Sequence, residues 1–167
     1  MSILAIDPGP EESAWVRYDP EAHRVEDKGI WPNAQLGGFL HHHGGKARTT
    51  LAVEMVQSFG MPVGQEVFET VLWTGRFVEA WGGPFELVYR KDVKLHLCHD
   101  LRAKDSNIRQ ALLDRFPRTG GGATPQVGIK SDPGPLYGFK THLWSALAVA
   151  ITAIEAHDAV ASDGQGG

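Results

Sequence analysis

Two apolar runs of strand length each carry one carboxylate, and this limits the folds open to the chain more than any other feature. Ile3-Leu4-Ala5-Ile6 reads as a short buried strand. It ends at Asp7, just before the turn cluster Pro8-Gly9-Pro10. Thr49-Thr50-Leu51-Ala52-Val53-Glu54-Met55 is β-branched and apolar, a second buried strand with Glu54 near its end. A carboxylate in a buried strand is costly unless it is paired or holds a metal. Taken singly, Asp7 reads as a turn-former before Pro-Gly, and Glu54 as an edge residue facing water. Val53 and Met55 on either side of Glu54 sit badly with that. If the two strands are neighbours, both acids meet at one sheet face. Adjacent carboxylates repel, and a divalent cation is the usual remedy. Oxygen ligands without cysteine suit Mg²⁺ or Mn²⁺.

The elements around these strands define a class. Ala14–Tyr18 and Val25–Trp31 read as strands joined by the turn Asp19-Pro20-Glu21. With the first strand they make an antiparallel meander. A short helix is expected over Asn33–Leu40, with His41-His42-His43 in the loop after it. Apolar residues recur at helical spacing from Gln65 to Trp81, and Gly82-Gly83-Pro84 stops them. Within that helix Trp73, Phe77 and Trp81 form a stripe for the core or a dimer interface. Phe85–Tyr89 reads as a strand and Arg90–Cys98 as a helical turn region. A helix capped by Asp105 or Ser106 runs through Arg115, and an Ala- and Leu-rich helix runs from Gly138 to about Ala156. The expected fold is an α/β mixed sheet, a three-strand antiparallel meander plus parallel strands, flanked by helices. Residues 1–157 form one domain, and 158–167 a flexible polar tail.

The chain has 167 residues, 42% hydrophobic and 22% charged, the composition of a globular protein. No apolar run approaches membrane-spanning length, and Asp7 interrupts the N-terminal apolar stretch too early for a signal peptide. The one cysteine, Cys98, excludes an internal disulfide and a cysteine-based zinc site, and a cytoplasmic setting is expected. The net charge of −4 is unevenly spread. Residues 1–84 carry 6 Lys and Arg against 11 Asp and Glu, residues 85–140 carry 10 against 6, and residues 141–167 carry none against 3. The basic middle leaves room for nucleic acid, because counterion release follows local phosphate contacts rather than net charge.

Several ordered stretches carry a resemblance. They are Ile6-Asp7-Pro8-Gly9, Val53-Glu54-Met55 with Gly60-Met61-Pro62-Val63-Gly64 behind it, Tyr89 to Lys94, Ala103 to Gln110, and Trp144 to Ala150. Together they resemble the RuvC family of Holliday junction resolvases, in its bacteriophage-type branch, within the ribonuclease H-like superfamily. The similarity spans about residues 3–155. It implies a homodimeric, divalent-metal-dependent endonuclease that cuts branched DNA such as a four-way junction. Two Mg²⁺ or Mn²⁺ ions would be held by acids and would orient a water for in-line attack on phosphorus. Asp7 would bridge the metals and Glu54 would hold one.

The resemblance also implies one or two acids on the last helix, where this chain has His142 and Ser145. An i, i+3 pair lies on one helix face, so both are candidate ligands. An imidazole accepts Mn²⁺ more readily than Mg²⁺. Taken alone, His142 reads as a satisfied histidine at a helix start. Asp105 and Asp132 are weaker candidates for a third carboxylate, the first as a helix cap and the second as a turn initiator. Lys94 and Lys104 match basic residues that face the scissile backbone, and Arg90, Lys91, Arg102 and Arg109 add DNA contacts nearby. Phe59, in a glycine-containing loop, either wedges at the branch point or packs under its loop. The loss of acid at 142 and 145 leaves open a junction-binding protein with weak or no cleavage, and a relaxed branch or flap nuclease of the same fold is a further alternative.

Overall fold

Strand β1 (Ser2–Asp7) lies at the centre of a five-stranded sheet, and the rest of the chain is arranged around it. The computed structural model describes residues 1–45 and 48–163, with side chains of the last helix described as far as His157. Strands β2 (Glu12–Asp19) and β3 (Arg24–Pro32) pair antiparallel as the meander. Helix α1 (Asn33–His43) carries the chain to β4 (Thr49–Met55), which lies parallel to β1 on its other side. Helix α2 (Gln65–Trp81) leads to β5 (Phe85–Tyr89), parallel to β4. The order is β3-β2-β1-β4-β5. Helices α3 (Arg90–Cys98) and α4 (Asp105–Leu113), a hairpin of β6 (Gly128–Ile129) and β7 (Asp132–Pro133), and helix α5 (Leu143–Asp163) complete it. Among the described residues no helix is long and apolar enough to cross a membrane.

Side chains alternate across a strand, so each central strand feeds two cores. Ile3, Ala5, Ala14, Val16 and Ala52 face α3, α4 and α5. Leu4, Ile6, Trp15, Leu51 and Val53 face α1 and α2. Helix α5 packs across β1 and β2, and its small residues Ala146, Ala148 and Ala150, each 0% exposed, let its backbone come close to the sheet. Phe77 and Trp81 bury in the second core with Trp73 packed against them, so the aromatic stripe of α2 belongs to the core.

Three boundaries differ from the sequence expectation. Helix α1 continues through His43, whose ring stacks on Phe39 with centroids 4.3 Å apart and donates from Nδ1 to the Phe39 carbonyl at 2.9 Å. The histidine run therefore forms the last turn of a helix. Helix α4 is capped at Lys104, whose N–H is accepted by Asn107 Oδ1 at 2.9 Å, and Asp105 is its first residue. Helix α5 begins at Leu143 rather than Gly138, because Gly138 (φ 78°) and Thr141 (φ 41°) hold residues 138–142 in turns. The helix continues to Asp163, past Ala156, and residues 164–167 of the expected tail lie outside the described residues.

One ion-pair cluster ties α5 to α3 and to the end of α4. Arg115 donates to both Glu155 oxygens at 3.1 and 3.2 Å, and His96 Nε2 meets Glu155 Oε2 at 2.5 Å. Burial raises the Glu155 carboxyl, but the hydrogen bonds and charges of Arg115 and His96 outweigh it and the net shift is downward. A depressed acid contributes stability above its ordinary range, and that stability is lost as pH falls through the folded-state value. With Glu155 38% exposed, solvent screening holds the contribution to about 1 kcal/mol. Glu155→Gln is expected to lower Tm by about 2–4 °C at pH 7. The gap should close as wild type is acidified below the ordinary carboxylate range, as a thermal melt series will show.

Candidate functional site

The β1–β4 register brings the two acids together. Ala5 pairs with Ala52 and Ile6 with Val53, so Asp7 and Glu54 are level, one step further along parallel strands. Both continue the Ala5/Ala52 alternation and so emerge on the α5 side of the sheet. Each side chain is only 14% exposed. Burial, then the adjacent Asp7 charge, pushes the Glu54 carboxyl up to about 8, with Arg90 opposing.

Two basic side chains attend the pair. His142, just ahead of α5, donates from Nδ1 to Asp7 Oδ2 at 2.9 Å. That hydrogen bond is the main reason its imidazole titrates above the usual histidine range, with partial burial opposing. Arg90, the first residue of α3, reaches back so that Nη1 lies 3.7 Å from Glu54 Oε1 while Nη2 pairs with Asp105. Asp105 is thus committed to Arg90, and Asp132 sits in the β6–β7 hairpin.

The loop after Asp7 is braced from below. Gly9 N–H donates to Ser13 Oγ at 3.1 Å, Ser13 donates to Asn33 Oδ1 at 2.6 Å, and Asn33 Nδ2 donates to the Gly9 carbonyl at 2.9 Å. Ser13 and Asn33 are each 1% exposed. A Cβ on Gly9 would lie 2.4 Å from the Glu12 carbonyl oxygen, so the turn admits only glycine. Sequence reasoning missed Ser13 and Asn33. Their signal was a polar residue in an apolar strand and an Asn opening a helix, and both have commoner explanations.

The remaining predicted residues divide by position. His142 and Asp7 line one cleft, of about 610 Å³, with Glu12 and Glu66. Ser145 lines a different cavity, shared with Arg90, Arg109 and Trp144. Lys94 is half-buried on α3, Lys104 is exposed at the α4 cap, and Arg102 pairs with Asp100 at 3.5 Å. Lys91 lies over the Tyr89 ring at 5.8 Å, and Arg109 over Trp144 at 4.7 Å. Phe59 is 76% exposed, which excludes packing under its loop.

The donor set fits one hard cation better than two. Two level carboxylates, one of them raised first by burial and then by the charge of the other, form a pair whose desolvation and repulsion a divalent cation would relieve. Mg²⁺ is commonly held by one or two carboxylates with waters and a substrate phosphate completing its shell. Among the described residues no group of three His, Cys, Asp or Glu side chains is arranged to hold a metal. Where the sequence resemblance implied acids at positions 142 and 145, the chain has an imidazole just ahead of α5 and a hydroxyl on its first turn.

No protein-family model and no curated protein matches the sequence. Solved structures do. A RuvC from Thermus thermophilus superimposes with a TM-score of 0.68 at 18% identity, over 95% of this chain and 97% of that one. The fold is that of RuvC, a ribonuclease H-like fold. A second T. thermophilus RuvC structure, in complex with a Holliday junction substrate, matches with a TM-score of 0.66 at 18% identity, covering 93% of this chain and 94% of that one.

The raised Glu54 carboxyl has a consequence for stability. Between the ordinary carboxylate range and about pH 8 the folded chain holds a proton that the unfolded chain has lost, so stability falls as pH rises. Glu54→Gln removes that cost. Its Tm is expected to exceed wild type at pH 8 by about 2–4 °C, on the order of 1 kcal/mol, with little difference near pH 4.5. Melting both proteins across that range checks it.

Proposed function

We propose that this chain binds branched DNA, four-way junctions among them, and cleaves it weakly or not at all with Mg²⁺. The observation that carries the proposal is the engagement of both acids by the chain's own cations, His142 on Asp7 at 2.9 Å and Arg90 beside Glu54 at 3.7 Å. These groups neutralise charge that hydrolysis reserves for metal. Phosphate contact is supported by Lys91 and Lys94 on α3, Arg102 and Lys104 before α4, and Arg109 on it. The exposed Phe59 supports an aromatic wedge at the branch point. Pairing of two copies through α2 is supported by Phe68 and Leu72, 65% and 60% exposed on that helix.

The convergence of Asp7 and Glu54 favours a second reading, metal-dependent cutting of junctions, forks or flaps. A divalent cation, when bound, supplies an oriented water and stabilises the leaving oxygen. Asp7 and Glu54 would hold it. His142, while protonated, keeps Asp7 neutralised and attracts phosphate; once neutral, its imidazole suits Mn²⁺ better than Mg²⁺.

A labelled four-way junction is expected to be retarded by the protein in a gel and left largely uncut in Mg²⁺. His142→Asp should raise nicking about tenfold or more, equivalent to about 1.4 kcal/mol of barrier. Absence of junction binding refutes the proposal. Efficient Mg²⁺-dependent cutting that Asp7→Asn abolishes establishes the second reading in its place.

Residual cutting is expected to rise with pH. His142 and Glu54 both lose a proton on the way up, Glu54 at about 8, and each loss frees an acid or an imidazole for the cation. A cleavage rate that is flat or falls across about pH 6–9 contradicts this assignment of the protons.

A further inference from the structure

Beside the acid pair lies a second recess, of about 560 Å³, within the size range of ligand pockets. It is walled by α4, the 138–142 turn and the start of α5. Arg90, Arg109, Lys140, Phe139, Trp144 and Ser145 line it. Arg90 connects it to the site, with one end beside Glu54 and the other on Asp105. Its Nη1 is shielded from solvent and has no hydrogen-bond partner.

The chemistry of this recess is not that of a plain phosphate patch. The Arg109 guanidinium lies 4.7 Å from the Trp144 ring centroid, and the Phe139 centroid is 5.2 Å from Trp144. Lys28 sits 5.1 Å from the Phe139 ring. A duplex backbone asks only for cations. A guanidinium backed by an indole offers a flat, cationic plane, and unpaired bases stack on such planes in single-strand recognition. Lys140 and Arg90 then provide charge for the flanking phosphates, and Ser145 a hydroxyl for a base edge.

The geometry points to a subsite for one unpaired nucleotide, its base stacked on Arg109 against Trp144, next to the phosphate that lies over Asp7 and Glu54. This rests on the branched-DNA proposal and adds to it. Branch points supply unpaired nucleotides at low cost, so the recess would select junctions and forks over continuous duplex. It also assigns Ser145 to base contact rather than to a metal.

The test uses the full chain and a four-way junction carrying 2-aminopurine at each nucleotide flanking the branch point in turn, with a distant dye reporting binding. At saturation, quenching of 2-aminopurine at one position is expected for wild type. It should be lost in both Arg109→Gln and Arg109→Lys, because lysine keeps the charge and lacks the plane. Affinity should fall roughly tenfold in the Gln variant, about 1.4 kcal/mol. Trp144→Phe, which retains a ring, should restore most of the quench relative to Trp144→Leu, and a thermal melt of each variant reports folding. Junction binding with no quenched position, or a quench that Arg109→Lys preserves, overturns the subsite and leaves the branched-DNA proposal standing. Failure of the dye to report any binding overturns both.

Discussion

The parallel pairing of β1 with β4 sets two mostly buried carboxylates side by side, and most of what is unusual in this molecule answers that repulsion. Burial alone makes each charge expensive, and proximity makes the pair worse. Burial and the neighbouring Asp7 charge raise the Glu54 carboxyl, while the chain sets one imidazole on Asp7 and one guanidinium near Glu54. The Gly9–Ser13–Asn33 triangle locks the loop that follows Asp7, so the acid cannot swing away from its neighbour. Helix α5 approaches over a floor of alanines and delivers His142 from the turn at its start.

Arg90 is the hinge of the electrostatics. It leaves the end of β5, opens α3, and divides its guanidinium between Glu54 and Asp105. On one side of it lies the acid pair, and on the other the aromatic and basic recess around Trp144. A residue expected as one DNA contact among several therefore sits between the acid pair and the aromatic recess. The acidic cleft on the far side, with Glu12 and Glu66 near Asp7, gives the site an opposite polarity there. The basic residues of α3 and α4 and the acids Glu11 and Glu12 of the β1–β2 turn thus set opposite charges on the two sides of the acid pair.

Much of the architecture was legible because periodicity reports on burial directly. The span of α2, the meander, the two acid-bearing strands and β5 could all be read from apolar spacing and turn residues. Boundaries were misplaced where a local signal had two meanings. Histidines after Leu40 read as loop yet continue α1, and Gly138 to Thr141 carry helix-compatible residues while two of them adopt positive φ. Asp105 looked like a cap because Asp is a good one, but Asn107 takes that task and Asp105 pairs with Arg90.

The continuous apolar runs of β1 and β4 sufficed to show that Asp7 ends one buried strand and that Glu54 lies near the end of another, since that pattern depends only on neighbours in the chain. Which strands adjoin, at what register, and whether a cation or the chain itself answers the acids depend on contacts between residues far apart in sequence, such as Asp7 with His142. The same holds for the divergence of His142 and Ser145. Three positions apart on an ideal helix they would share a face, but the helix starts between them, so one turns to the acid cleft and the other to the recess beside Arg109. Only folded geometry decides where a helix begins when several residues could begin it.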